Sequence, residues 1–260
     1  MTYHDRHPAL TPQDEAFLAA NPWIARLYHD RATSVPFSPG SRHERPTPPA
    51  TALNERLFSR TLLDSGAVAP TLGWHAPLDF ASVEAAVAKQ EQEQEAAAAE
   101  SNGVEGEAGG VSTAEEKKGD MYLIPEATMA FDLGEGLRGF QGVTHGGMFA
   151  VLIDECVGNY LALNQAVSVK AEQGGFGKER GQRLCKRLAG LGGTTAYTVG
   201  MDVRFLKPIA VPAAVVVRTW LGSITGRKIV VKSVIEGEGG VRYGTCDSTW
   251  IVVKLPKSKI

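Results

Sequence analysis

The chain has 260 residues and 43% hydrophobic content, enough for one sizeable core with appendages. Its 27 Lys and Arg against 29 Asp and Glu leave a formal charge of −2, which gives no long-range reason to expect nucleic acid or an acidic membrane as partner. Cys156, Cys185 and Cys246 are far apart and without CxxC spacing, which argues against a disulfide framework and a zinc site and fits a reducing compartment. The start MTYHDRHPALTPQDEAF lacks a signal-peptide run, and nowhere is there a stretch of about 18 apolar residues to span a membrane. The expectation is an intracellular protein, cytoplasmic or mitochondrial.

Residues 1–80 read as an N-terminal extension. Thr11, Pro12 and Asp14 form a capping-box start, predicting a short helix through about Tyr28. Residues 31–51 carry Pro36, Pro39, Pro46, Pro48 and Pro49, which remove backbone donors and predict an extended connector. Leu57, Leu62 and Leu63 lie near helical spacing and predict a helix over 54–65. Residues 81–120 are a compositional break, with ten acids against three lysines. The Ala and Glu run to Glu100 suits a solvated helix but lacks an apolar stripe with which to bury anything, and the Gly-rich remainder is expected to be disordered.

Residues 121–255 have the texture of a compact α+β domain. Strands are predicted at 122–133 and 137–143. The almost continuously apolar stretch 146–163 is long enough to favour a helix, and a helix apolar on all sides must be buried on all sides. Four β-rich runs follow, at 194–206, 213–224, 228–238 and 241–253, separated by turn signals. Between helix and sheet, 164–193 reads as an insertion, mobile or partly helical over 179–188. Its six basic residues are Lys170, Lys178, Arg180, Arg183, Lys186 and Arg187. They suit either a solvated basic loop or a holder for the phosphates of an anionic carrier.

Within the segment GVTHGGMFAVLIDECVGN, His145-Gly146-Gly147 opens the apolar helix. A helix start presents unpaired N–H groups and partial positive charge, suited to a carbonyl oxygen as it becomes an oxyanion. Asp154 sits among Ala, Val, Leu and Ile, where a carboxylate is costly unless something requires it. It reads as a general base or nucleophile; the alternative is a carboxylate satisfied at a subunit interface. His145, beside a helix start that discourages its protonation, reads as a capping partner ahead of a base. Glu155 points about 100° away around the helix and reads as a structural or subunit-contact acid. Nine residues of helix span about 13 Å, so Gly146 and Asp154 of one chain cannot meet one carbonyl, and a second subunit is required.

Together with the later TTAYTVGMDVRFLKPI, these residues resemble the hotdog thioesterase superfamily, especially the phenylacetate-degradation-type acyl-CoA thioesterases. The likeness covers about 121–253; LFSRTLL more loosely resembles N-terminal extensions of fungal members. The resemblance implies an antiparallel sheet wrapped around a central buried helix. It implies hydrolysis of acyl-CoA or a related acyl thioester in fatty-acid metabolism, by a homodimer or dimer of dimers, without metal or redox cofactor. Each site would join the Gly146 N–H of one protomer to Asp154 of its mate, with Thr198 where relatives keep a Ser or Thr that orients water or carboxylate. Gly147 would line the substrate. Of Gly139, Phe140 and Gln141, only Gln141 can serve as the Asn or Gln that some relatives carry before the glycines. Arg204 and Lys207, at a strand end, are candidate phosphate contacts. The alternatives are a non-catalytic hotdog module that binds acyl thioesters or only dimerises, and a hotdog enoyl-thioester hydratase. The hydratase needs a well-placed His and acid in its own motif, whereas His145 is the one histidine of the domain.

Overall fold

The computed structural model describes residues 9–39, 57, 62, 66–101 and 120–254. The helix expected over 54–65, apart from Leu57 and Leu62, and the Gly-rich part of the acidic segment lie outside the described residues.

Thr11 caps α1 (Pro12–Ala20) with the reciprocal Thr11–Asp14 capping box, because its hydroxyl and the Asp14 carboxylate satisfy backbone N–H groups that the helix leaves open. The helix expected to run on to Tyr28 breaks at Asn21, and α2 (Pro22–His29) starts afresh, since Pro22 cannot donate to the turn before it. Two strands come from the stretch expected to hold only short helices and a connector: β1 (Val35–Phe37) and β2 (Val68–His75). Both join the main sheet.

That sheet has seven strands, all neighbours antiparallel, in the order β1-β2-β3-β7-β8-β9-β6. The remaining strands are β3 (Glu126–Leu133), β6 (Thr194–Phe205), β7 (Ala213–Thr225), β8 (Lys228–Gly237) and β9 (Val241–Lys254). Residues 137–143, expected as a second strand of the sheet, instead form a separate hairpin of β4 (Arg138–Phe140) and β5 (Val143–Thr144). Its turn is Gln141-Gly142, both at positive φ (43° and 78°), the conformation of a tight hairpin turn.

The apolar stretch is α4 (Gly146–Glu172). It packs on β3, β6, β7 and β8, burying Leu152, Ile153, Cys156, Val157 and Tyr160 against Met129, Phe131, Val215, Val217 and Ile229. Its other side is less covered: Met148, Ala150, Val151, Asp154, Glu155, Gly158 and Ala162 stay half-exposed, so this helix is not buried all round by its own chain. On the opposite face of the sheet, α1 and α2 cover Leu72, Trp74, Ala130 and Val216 with Phe17, Leu18, Ile24 and Tyr28. Two-sided cover explains why β3 is buried without a break from Ala127 to Phe131, Thr128 included, and not in alternation.

α4 runs nine residues past the predicted end at Leu163, because 164–172 keep apolar residues on the inner face: Val167 and Ala171 are buried. It stops at Gly174 (φ 75°), where the Gly175 and Gly174 N–H groups donate to Lys170 and Ala171 carbonyls at 2.8 and 3.0 Å. That pattern is a Schellman stop. At its other end the Gly147 N–H donates to His145 Nδ1 at 3.1 Å, a side-chain cap.

α5 (Lys178–Leu184) follows, and the insertion is thus largely ordered helix. Its partner is α3 (Phe80–Ser101), which does bury an apolar edge, contrary to expectation. Val83 and Val87 are 0% and 1% exposed, because their i,i+4 spacing puts them on one face. Around them Arg180 donates to Glu84 at 2.6 Å, Arg183 and Lys186 approach Glu91 at 3.5 and 2.5 Å, and Arg187 meets Asp120 at 2.7 Å. Arg180 also lies 4.1 Å over the Phe80 ring. Four of the six basic residues of the insertion therefore pair with Glu84, Glu91 and Asp120 of the acidic segment.

Two outcomes are expected in urea unfolding. Val87→Ala should destabilise by about 2 kcal/mol and Glu84→Gln by under about 1 kcal/mol, since exposed ion pairs contribute little; the reverse ranking would make charge the force that docks α3. His145→Ala should lose about 1 kcal/mol from the missing cap, and His145→Asn, with its own capping oxygen, should recover most of it.

Candidate active site

Three elements meet around the exposed His145-Gly146-Gly147 turn. The β4–β5 hairpin leads into it, with the His145 N–H donating to Leu137 O at 2.9 Å. Gly139 permits the approach: a Cβ there would lie 2.7 Å from His145 Cα. α4 leaves it, and the end of β6 passes over it.

The two glycines differ. A Cβ on Gly147 would press on His145 Nδ1 at 3.2 Å, so Gly147 serves the cap, and its N–H is already bonded. A Cβ on Gly146 would meet only the Phe205 ring at 3.6 Å, an ordinary contact, so packing within the chain does not demand this glycine. Gly146 is the first residue of α4, where an N–H has no acceptor in its own helix. The turn thus offers one capped N–H and one without an acceptor in its own helix. Because Nδ1 of His145 accepts, the imidazole proton of the neutral ring lies on Nε2.

Asp154, two turns on, is half-exposed, and Thr198 Oγ1 donates to its Oδ1 at 2.7 Å. The two residues thus meet across the cleft between α4 and β6. A hydroxyl bonded to a carboxylate fixes its orientation. Glu155, one residue on, accepts from Asn159 Nδ2 at 3.0 Å on the same helix. Cys246, on β9, has its thiol pushed up to about 11, first by burial and then by Asp247, Asp202 and Asp154.

Other candidates lie further off. Gln141 is exposed at the hairpin tip. Arg204 pairs with Asp202 at 3.3 Å. Its neighbour Phe205 faces α4, and strand alternation therefore puts Arg204 on the other side of the sheet. Lys207 is exposed just past β6, with its backbone N–H on Tyr243 O. Phe205 was not legible as a site residue: it is an exposed ring that meets Phe149 edge-on at 5.1 Å, and only the fold carries it to the helix start. Among the described residues no group of three His, Cys, Asp or Glu could hold a metal ion, and no helix is long and apolar enough to cross a membrane.

Residues 141–243 match the family model described as the thioesterase superfamily. The chain is 25% identical over 140 residues to verlamelin biosynthesis protein B of Lecanicillium sp; the match covers 53% of this chain and spans 61% of the relative's length. Similar solved structures include a hypothetical thioesterase protein with coenzyme A from Streptococcus pneumoniae. It is 12% identical, with 51% of this chain and 82% of that one covered and a TM-score of 0.38. Another is DHNA-CoA thioesterase from Staphylococcus aureus, at 18% identity, 50% and 75% coverage and a TM-score of 0.35. The fold is a hotdog, an antiparallel sheet packed on one long helix, and it is the segment from the β4–β5 turn into β9 that is similar to the thioesterase superfamily.

Proposed function

We propose that the chain hydrolyses acyl-CoA to free acid and thiol, as a phenylacetate-degradation-type thioesterase working as a homodimer or dimer of dimers. The observation that carries this proposal is the Thr198–Asp154 hydrogen bond. It holds a carboxylate, with one oxygen left over, on a helix that has no packing use for it. In the proposed reaction the thioester carbonyl oxygen lies on the Gly146 N–H of one protomer. Asp154 of the partner subunit takes a proton from water as the water oxygen attacks the carbonyl carbon. The tetrahedral oxyanion is stabilised at the helix start; then the C–S bond breaks and Asp154 returns the proton to the leaving thiolate. His145 holds the turn in shape without transferring a proton. Lys207 and Arg204 are the proposed phosphate contacts, Arg204 from the far side of the sheet.

The need for a second subunit has physical support. Gly146 and Asp154 are about 12 Å apart along one helix. β6 is an edge strand of twelve residues with Tyr197, Val199 and Phe205 each 60% exposed, and long apolar edges are ready templates for strand pairing. The half-covered side of α4 adds further surface for a mate.

Thiol release from short, long and aromatic acyl-CoAs tests the reaction. Asp154→Asn should lower kcat by about 10²–10⁴ at unchanged folding; wild-type binding without turnover on every substrate would instead make the protein a binding module. Gly146→Pro removes the N–H at a position where helices accept proline and should cost about 10²–10³ in kcat. Mixing unfolded Gly146→Pro and Asp154→Asn chains and refolding them together should restore turnover, since a mixed dimer has one intact composite site; no restoration sinks the shared site. Val199→Asp on the β6 edge should give monomers by light scattering.

A further inference from the structure

Two polar bridges tie α4 to β6, and they bound a gap. At one end Thr198 meets Asp154. At the other, Gln165 Nε2 donates to Leu191 O at 2.9 Å and to Thr194 O at 2.8 Å. Between them lies a pocket of about 150 Å³. Its helix wall is Gly158, Leu161, Ala162 and Gln165, which continue from Asp154 at helical spacing on one face. Its strand wall runs from Thr194 to Ala196, and Ala196 shares a face with Thr198, two residues on. Both walls therefore proceed in step from Asp154 inward. Ile229 and Trp250 close the base, with the Trp250 indole N–H already donating to Ser248 at 3.2 Å, so the ring offers apolar surface only.

Gly158 is the telling residue. Glycine inside a helix costs stability, and close packing is the usual reason to keep one. Here a Cβ would meet nothing within 4 Å. The glycine leaves open space one turn from Asp154, at the mouth of the pocket.

We infer, resting on the thioesterase proposal, that this pocket receives the far end of the acyl group and sets its size. A cavity of this volume accepts a benzene ring, so the fitting acyl groups end in one aromatic ring or in a tail of about six carbons. Gln165, pinned by two carbonyls, is the end wall.

The test is calorimetric binding of non-hydrolysable S-alkyl coenzyme A thioethers, from ethyl through butyl, hexyl, octyl and dodecyl, with phenethyl alongside. Affinity should rise about fourfold per methylene and then stop rising near hexyl or octyl, with phenethyl as tight as hexyl. Gln165→Ala should move that break to longer chains. Gly158→Leu should lower the hexyl-to-ethyl affinity ratio by about tenfold, and Ala162→Phe provides the same block should Gly158→Leu fail to fold. An unbroken rise to dodecyl in the wild type overturns the inference. So does an unchanged hexyl-to-ethyl ratio in a folded Gly158→Leu or Ala162→Phe protein, including one whose dimer mass has changed. The two proposals fail separately: a break in binding without hydrolysis of the matching acyl-CoAs removes the catalytic proposal and keeps the pocket, and hydrolysis with no break does the opposite.

Discussion

A helix of 27 residues that is apolar over most of its length cannot stand in water, and the cover it finds organises the rest of the chain. Four strands of the sheet lie against α4, and several of the largest fully buried side chains belong to that contact, with Tyr160, Leu152 and Ile153 on the helix and Phe131 and Met129 opposite. Hydrophobic burial of this kind is non-directional, so it brings helix and sheet together without fixing which residues meet. The polar groups add that precision. Cys156 donates to Val217 O at 3.3 Å, Asn164 exchanges hydrogen bonds with the Ile124 backbone, and Thr198 and Gln165 pin the β6 side. Each would be left unsatisfied by a shift in register.

The features assigned to chemistry are the places where this packing logic gives way. Asp154 is a charge on a greasy helix, Gly146 a glycine that packing does not require, and Gly158 a glycine facing empty space. All three are on α4, on the side its own sheet leaves half-open. A substrate and a second chain are the two things able to use such a side, and the proposed mechanism uses both.

The acidic and basic segments serve another purpose. α3 and α5 lie against one another with Val83 and Val87 as the apolar contact and a set of exposed ion pairs around it. The ion pairs are weak individually, yet they select this pairing of segments over others that burial alone would allow. Part of the acidic bias, at Glu84 and Glu91, and part of the basic one, at Arg180, Arg183 and Lys186, thus form one docked surface. The far wall of the pocket, at Leu191 and Thr194, is held where this surface returns to the sheet.

Periodicity and composition alone determined a good deal: the Thr11 capping box, the apolar helix starting at Gly146, the four long strands after it, and the oddity of Asp154. These are local properties, set by spacing of 2 or 3.6 and by the cost of a charge in apolar surroundings. The strands β1 and β2 were not legible, because Val35–Phe37 and Val68–His75 carry proline or glycine and are strands only by long-range pairing, β1 with β2 and β2 with β3. Nor was the true end of α4, which depends on burial of Val167 and Ala171 as much as on the glycines that stop it. The contact of Thr198 with Asp154 spans 44 positions of sequence, and the placing of Phe205 over Gly146 a still longer separation. The sequence named the helix, the glycines and the carboxylate; only the tertiary structure decided what stands opposite them, because a long-range contact is a property of how strand and helix pack and no local pattern encodes it.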